Sequence, residues 1–560
     1  MPVRAIGGST GESRVAVKRS AFQDLVPAVS AALALFAASM IVASSPSPAG
    51  AQVPCVANTD GSDRCPLWAA ERSYGDNWGD FGYVDAARNV VGLGDVLLVA
   101  EPVNEPTQSL EERYDFELAA LSVEDGSRRW IASYAGPADA WDIPYSTLVS
   151  PDEEIVYVTG LRDYPQTPNV IAFGGCAVDF RPASAITLAY RVADGTPVWA
   201  SGLGEESSMD AAFGSALSPD GERLYVAGLV AAGEGDDCDV DFGVAALDTA
   251  TGEEVWSTSI AGAAGGRDQG MTVAVTPDGG MLAATGITSV ANGDAKYLTV
   301  GFDLPDEKSG DAPGDVSERW RSTFHGGPCV DERTFFFAVC TQAPPGPRGM
   351  VMAPDGETVF VTGETEYPGS SELSGPREYA TVAYDTATGA ERWVARYRGG
   401  ADAHRTPNGI AIDPQGARVF VTGLTIGETE ATWEQGTVAY DAATGTQLWA
   451  HTYPDVGAQG EGLDVVVAPD GRRVYVTGNS DGDAVTLAYD PADGSVLWTA
   501  RFNPAVHGLE YAEGRRLVVS RDGDRVFVLG RAANTIDGVR RTLDIHDDNV
   551  NRGYVWAYES

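Results

Sequence analysis

The stretch Val438–Trp449, VAYDAATGTQLW, is a short apolar strand, an Asp-x-x-Thr-Gly turn and a tryptophan four residues past the glycine. It recurs as AALDTATGEEVW ending at Trp256, VAYDTATGAERW ending at Trp393 and LAYDPADGSVLW ending at Trp498. Looser copies are LAYRVADGTPVW, ending at Trp199, and AALSVEDGSRRW, ending at Trp130. Repeats spaced by about 50–70 residues are the mark of arrays, propellers and solenoids.

Upstream of the Trp256, Trp393 and Trp498 copies stands a Pro-Asp-Gly turn followed by a strand: SPDGERLYVAG (218–228), APDGETVFVTG (353–363) and APDGRRVYVTG (468–478). Proline presets φ, aspartate bonds nearby backbone N–H groups, and glycine supplies the positive φ that closes the hairpin. An apolar run precedes each such turn, for example MTVAV (271–275). One unit therefore reads strand, turn, strand, long loop, strand, Asp-x-x-Thr-Gly turn, strand, which is the four-stranded antiparallel blade of a propeller. In the tryptophan strand the fourth residue after Trp shares its face: Tyr134, Leu203, Ile260, Phe324, Tyr397, Tyr453 or Phe502. These tryptophans are structural first, since burying one removes about 150–250 Å² from water.

Trp130, Trp199, Trp256, Trp320, Trp393, Trp449 and Trp498 mark seven units; in the Trp320 unit an insertion separates Asp303 from its tryptophan. An eighth unit begins at LVVSRDGDRVFVLG (517–530) and ends at YVWAYES without a closing strand. PLWAAERSY (66–74) is placed to supply it from the other end of the chain. The expected fold is all-β: an eight-bladed propeller of four-stranded antiparallel blades, closed by an N-terminal strand, with seven blades as the alternative.

The Asp-x-x-Thr-Gly-x-x-x-Trp phrase resembles the tryptophan-docking motif of quinoprotein-type (PQQ-like) β-propellers, which are typically eight-bladed, and the resemblance extends over essentially all of the chain after the leader. The Pro-Asp-Gly half is also similar to a repeat of bacterial secreted β-propellers. For quinoprotein alcohol dehydrogenases the resemblance would imply a quinone stacked on two adjacent disulfide-bonded cysteines, calcium held by Glu, Asn and Asp, and an Asp base. This chain has no adjacent cysteine pair, and no such ligand set aligns onto it. Glucose-dehydrogenase-like quinoproteins do without the pair, so a quinoprotein oxidoreductase stands as the alternative function, with PQQ itself not expected.

Arg14, Lys18 and Arg19, the apolar stretch 25–43 and Ala49-Gly50-Ala51 read as a secretory leader over 1–51, followed by a single propeller domain over 52–560. Export to the extracellular space, or to a periplasm, follows. Six cysteines suit an oxidising compartment. Spacing suggests Cys55–Cys65 and Cys329–Cys340 as local pairs, and Cys176–Cys238 as a bridge between neighbouring units. The formal charge is -42, which repels nucleic acid and anionic lipid.

The loops between second and third strands emerge on the same face as those between blades, and many are acidic. The densest cluster, Asp237, Asp239 and Asp241, starts like a calcium loop, but Phe242 stands where the turn glycine belongs. Those three carboxylates are the candidate metal residues, calcium the candidate ion, and no cofactor is firmly implied. None of the five histidines has metal-ligand spacing, and no catalytic residues are assigned. Trp433, in the acidic loop EATWEQG, suits a protein or carbohydrate surface if exposed. The expected function is a monomeric binding or scaffold protein whose acidic loop face takes a protein, carbohydrate or cationic ligand. A hydrolase or lyase using loop carboxylates is a further alternative.

Overall fold

The computed structural model describes residues 40–43, 63–73, 90–104, 114–137, 140–164, 184–203, 211–231, 240–262, 268–289, 294–305, 316–328, 347–366, 377–398, 405–426, 433–453, 460–533 and 551–560. Eight separate antiparallel sheets are present. Their innermost strands are Val90–Leu93, Trp141–Val149, Ala211–Leu217, Gln269–Val275, Pro347–Met352, Thr406–Ile412, Gly460–Val467 and Tyr511–Val519. Each touches the next, and the eighth touches the first, so the ring is closed. We number the blades 1 to 8 in that order.

Blade 8 consists of Tyr511–Val519, Arg525–Ala533, Asn551–Glu559 and, outermost, Trp68–Ser73. Trp68 pairs with Ala557 and Ser73 with Arg552. The N-terminal strand thus completes the last blade and ties the two ends of the chain together. Asp63–Arg64 lies parallel to the outer strand of blade 7, and Met40–Ala43, inside the segment read as a leader, lies antiparallel to Arg128–Tyr134 of blade 1.

The repeated tryptophan explains why the blades stay together. Six indoles dock on the turn of the following blade, the Nε1 donating to the carbonyl one residue past the aspartate position. Trp68 donates to Val123 (3.1 Å), Trp130 to Val192 (3.0 Å), Trp199 to Thr249 (2.9 Å), Trp320 to Thr386 (2.7 Å), Trp393 to Ala442 (3.0 Å) and Trp449 to Pro491 (3.0 Å). The turn glycine has φ between 68° and 75° in these blades, and its missing Cβ is the space the indole occupies. Trp498 follows the rule only in part. Blade 8 has the chain ends where its turn would be, and the buried Trp498 Nε1 has no partner among the described residues. It packs instead on Tyr558 (ring centroids 6.3 Å apart) beneath the Arg64 guanidinium.

Within blades, paired threonines cross the second and third strands: Thr159–Thr187, Thr285–Thr299, Thr362–Thr381, Thr422–Thr437 and Thr477–Thr486, all at 3.0–3.1 Å. These hydroxyls satisfy each other in the dry interior, as buried polar groups must.

The Pro-Asp-Gly turns and their counterparts in other blades share a rim with the Asp-x-x-Thr-Gly turns, the Thr249 and Thr386 hydroxyls donating to the Gly221 and Gly356 carbonyls, and Gly221, Gly279, Gly356, Gly416, Gly471 and Gly523 are all at positive φ. In blade 2 the same position holds Glu153 at φ 63°. Its carboxylate pairs with Arg521 of blade 8 at an exposed site, where such a pair contributes about 0–1 kcal/mol. The left-handed backbone costs a side chain about 1–2 kcal/mol. Glu153→Gly is therefore expected to raise the urea midpoint slightly; a lowered midpoint would show that the ion pair outweighs the backbone cost.

Candidate functional site

The face opposite the Pro-Asp-Gly rim carries the second-to-third-strand loops and the blade-to-blade connections. Counting eight residues on from the outer-strand side chains Tyr134, Ile260 and Tyr397 reaches Asp142, Asp268 and Arg405, each buried at the head of an inner strand. Asp142 accepts the N–H of Gly136 (2.5 Å) and of Asp163 (2.8 Å), and Asp268 accepts that of Gly262. The carboxylate thus fastens the blade-to-blade connection, and finding it twice marks it as a building device. Around Asp142 the device is under strain: burial, with the Asp163 and Asp115 charges, pushes its carboxyl up to about 7 despite the two N–H donors. Asp163 itself is buried at φ 57°, 3.8 Å from Arg162. Burial likewise raises the Tyr134 phenol to about 12.

Blade 5 holds the densest ionic packing on this face. Glu364 accepts from Arg348 (2.8 Å) and Arg377 (2.5 Å), and Glu378 accepts from Arg396 (2.5 Å) and Arg398 (2.7 Å). In blade 8 Glu513 takes Arg515 (2.6 Å), Arg531 (2.8 Å) and the Tyr511 hydroxyl (2.6 Å). These carboxylates are committed to fixed cations.

One bulge recurs at the same place in seven inner strands, adding Tyr145, Phe213, Met271, Arg348, Asn408, Leu463 and Arg515 opposite the second strand. Neighbouring bulges meet around the ring: Tyr145 and Phe213 pack edge to face at 5.2 Å, and Asn408 Nδ2 donates to the Gly462 carbonyl (2.7 Å).

Where blades 6 and 7 adjoin, the loop face is cut low. The second and third strands of blade 7, Val474–Ser480 and Asp483–Tyr489, are joined by Asp481 and Gly482 alone, at φ 53° and 82°. That is the doubly positive geometry of a tight hairpin turn. Beside this notch runs the third strand of blade 6, Trp433–Asp441. Trp433 stands at its rim with 45% of its surface exposed. Gln435 is two residues deeper on the same face, only 1% exposed, with neither amide atom partnered among the described residues. Gln435 pairs across the strands with Tyr453. From blade 7, Arg501 lies over the Tyr453 ring (5.7 Å) and donates to its hydroxyl (3.1 Å). Arg501 also reaches Asp483, but at 3.4 Å. That long contact does not offset burial and the nearby Asp481, which push the Asp483 carboxyl up to about 6.

Of the sequence candidates, Asp237 and Asp239 lie outside the described residues. Asp241 is half-buried in the third strand of blade 3, opposite Val230. Among the described residues no three His, Cys, Asp or Glu side chains are grouped to hold a metal, and no helix is long and apolar enough to cross a membrane. Cys65 is disulfide-bonded; the other five cysteines lie outside the described residues, so the proposed pairings do as well. Arg405, in a blade-to-blade segment of the sequence, is buried in the place of the fastening carboxylate; His404 is outside the described residues. His451 packs edge to face on Tyr489 (5.3 Å), and burial lowers its pKa.

The sequence reading singled out Trp433 but passed over Gln435, Tyr453 as a ligand-face residue, and Arg501. The signal was present in the alignment of blade 5, REYATVAYD (377–385), with blade 6, WEQGTVAYD (433–441). Trp433 replaces Arg377, whose partner Glu364 has become Leu424, and Gln435 replaces the buried Tyr379.

A family model described as outer membrane protein assembly factor BamB, of the PQQ repeat type, matches residues 184–296 and 434–547. No curated protein matches the chain. Among solved structures, the quinohemoprotein alcohol dehydrogenase of Comamonas testosteroni is 11% identical, with a TM-score of 0.46 over 89% of this chain and 76% of that one. The periplasmic gluconolactonase PpgL of Pseudomonas aeruginosa is 17% identical (TM-score 0.40, 72% and 95% covered). Hydrazine synthase of Kuenenia stuttgartiensis is 16% identical (TM-score 0.41, 72% and 96% covered).

Proposed function

Since this chain is a propeller of PQQ-like repeats, we propose that it is an exported binding protein whose loop face takes a ligand at the notch between blades 6 and 7. The observation that carries this reading is the exposed indole of Trp433 beside a buried amide that the protein itself leaves unpartnered. Large exposed apolar groups next to unpaired polar ones mark binding surfaces. The sequence over 1–51, read as a leader, and the disulfide-bonded Cys65 support export. The matching family model describes an assembly factor, which supports binding over catalysis.

A quinone and its calcium would call for an adjacent cysteine pair or a cluster of oxygen ligands; the sequence has no adjacent cysteine pair, and among the described residues no three His, Cys, Asp or Glu side chains are grouped. A quinoprotein oxidoreductase is the second reading.

A thermal melt of the chain lacking residues 1–51 separates the two readings. A face ligand at a hundred times its Kd adds about 2.7 kcal/mol to native stability. The melting temperature is expected to rise with arginine-rich peptides or neutral oligosaccharides, and to stay unchanged with calcium plus PQQ after EDTA treatment. A reproducible rise with calcium plus PQQ alone would put the oxidoreductase first.

A further inference from the structure

We propose that the notch between blades 6 and 7 is a carbohydrate subsite, with Trp433 as the stacking platform and Gln435, Asp483 and Arg501 as the hydroxyl-reading groups. This rests on the binding function proposed above and assigns its ligand class.

The argument begins with the third-strand position that faces the next blade and pairs with the outer strand. Phe116, Phe242, Tyr297 and Tyr379 occupy it in blades 1, 3, 4 and 5, and Ala185 and Ala484 in blades 2 and 7. Two of these reach across to the following blade: Tyr297 donates to the Glu364 carbonyl (2.7 Å) and Tyr379 to the Leu424 carbonyl (3.0 Å). In blade 6 the position holds Gln435. A shorter amide stands where a ring would fill the interface and find a partner, and its donor and acceptor both remain open among the described residues. Fold consistency favours an apolar side chain or a ring here, not an unpartnered amide. A local rule broken without structural compensation points to a functional demand.

The chemistry of the surrounding groups selects the ligand. A glutamine amide offers one donor group and one acceptor, which together match a hydroxyl or a pair of adjacent hydroxyls. Asp483 and Arg501, 3.4 Å apart, add a second acceptor and a second donor on the blade 7 side. An exposed indole supplies a flat apolar surface with a polar edge, suited to the C–H face of a sugar ring. Gln435 lies below the rim, so a ligand hydroxyl meets it through a bridging water, which holds nearly as well as a direct bond.

The test uses the chain without residues 1–51 and calorimetric titration with neutral tetrasaccharides of the chito, cello, xylo and malto series, with an arginine-rich peptide in parallel. At least one sugar is expected to bind the wild type. Trp433→Ala and Gln435→Tyr are each expected to weaken it by about tenfold or more, as anchor residues do. Gln435→Tyr restores the residue of blades 4 and 5, so its melting temperature should hold or rise while binding falls. Should it fail to fold, Gln435→Leu removes the amide without the ring. Sugar affinity unchanged in both the Trp433 and Gln435 variants overturns the subsite. No sugar binding, with peptide binding that depends on Trp433, overturns the carbohydrate assignment and leaves the binding function standing. Binding of neither, with a melt that responds to calcium plus PQQ, removes both.

Discussion

Gly445→Ala is expected to cost the propeller about 2–5 kcal/mol, read as a large fall in the urea midpoint with the fold class intact by circular dichroism. Two separate costs add. Gly445 sits at φ 69°, where any Cβ costs about 1–2 kcal/mol. That Cβ would also lie 2.6 Å from the Trp393 ring, and forcing extra volume into a packed site costs about 1–3 kcal/mol. The ring cannot step aside freely, because its Nε1 is tied to the Ala442 carbonyl in the same turn. Gly508→Ala is the control. Gly508 is at φ 74° with no atom within 4 Å of the added Cβ, so it should show the backbone cost alone. Equal losses in the two variants would mean that the docked indole is not what demands glycine.

The second large effect is expected at Glu364. It is 2% exposed and held between Arg348 and Arg377. Burial alone would raise its pKa, but the two guanidiniums outweigh that and hold it below the usual carboxylate range. Glu364→Gln leaves two buried cations facing a neutral amide, and removing one partner of a buried ionic group typically costs about 3–5 kcal/mol. The pH dependence has a definite sign. A lowered folded-state pKa means the carboxylate stabilises the fold above its unfolded value of about 4.3, and this contribution fades as pH falls through the lower folded value. The gap between wild type and variant should be full at pH 7 and narrow in acid. A gap that stays constant down to pH 3 would show that the cost is steric. Because Arg348 occupies the inner-strand bulge of blade 5, the same substitution also tests whether that bulge is held by charge.

The architecture was legible in the residues because it rests on local rules repeated in every unit. A turn that needs positive φ, a glycine to supply it and a tryptophan at fixed spacing are written in order along the chain. The donated strand at Trp68–Ser73 was legible too, since a unit without a fourth strand at one end and an orphan strand at the other leave one economical closure. The eight-bladed ring follows from these.

The notch was not legible in the same way. Trp433 stood out as an aromatic among acidic residues, but its exposure is a property of the folded surface. Gln435 looks like an ordinary polar residue until strand register puts it in a buried slot that aromatic or small apolar residues fill elsewhere. Arg501 and Tyr453 belong to separate units and meet only because blade 7 packs on blade 6. The same holds for Arg405, which packing buried in the position of a fastening carboxylate. Chain-local chemistry, turns, alternation and repeat spacing, fixed the blade and the number of blades. Burial, unpartnered atoms and contacts between blades are properties of two surfaces brought together, and the tertiary structure alone decided them.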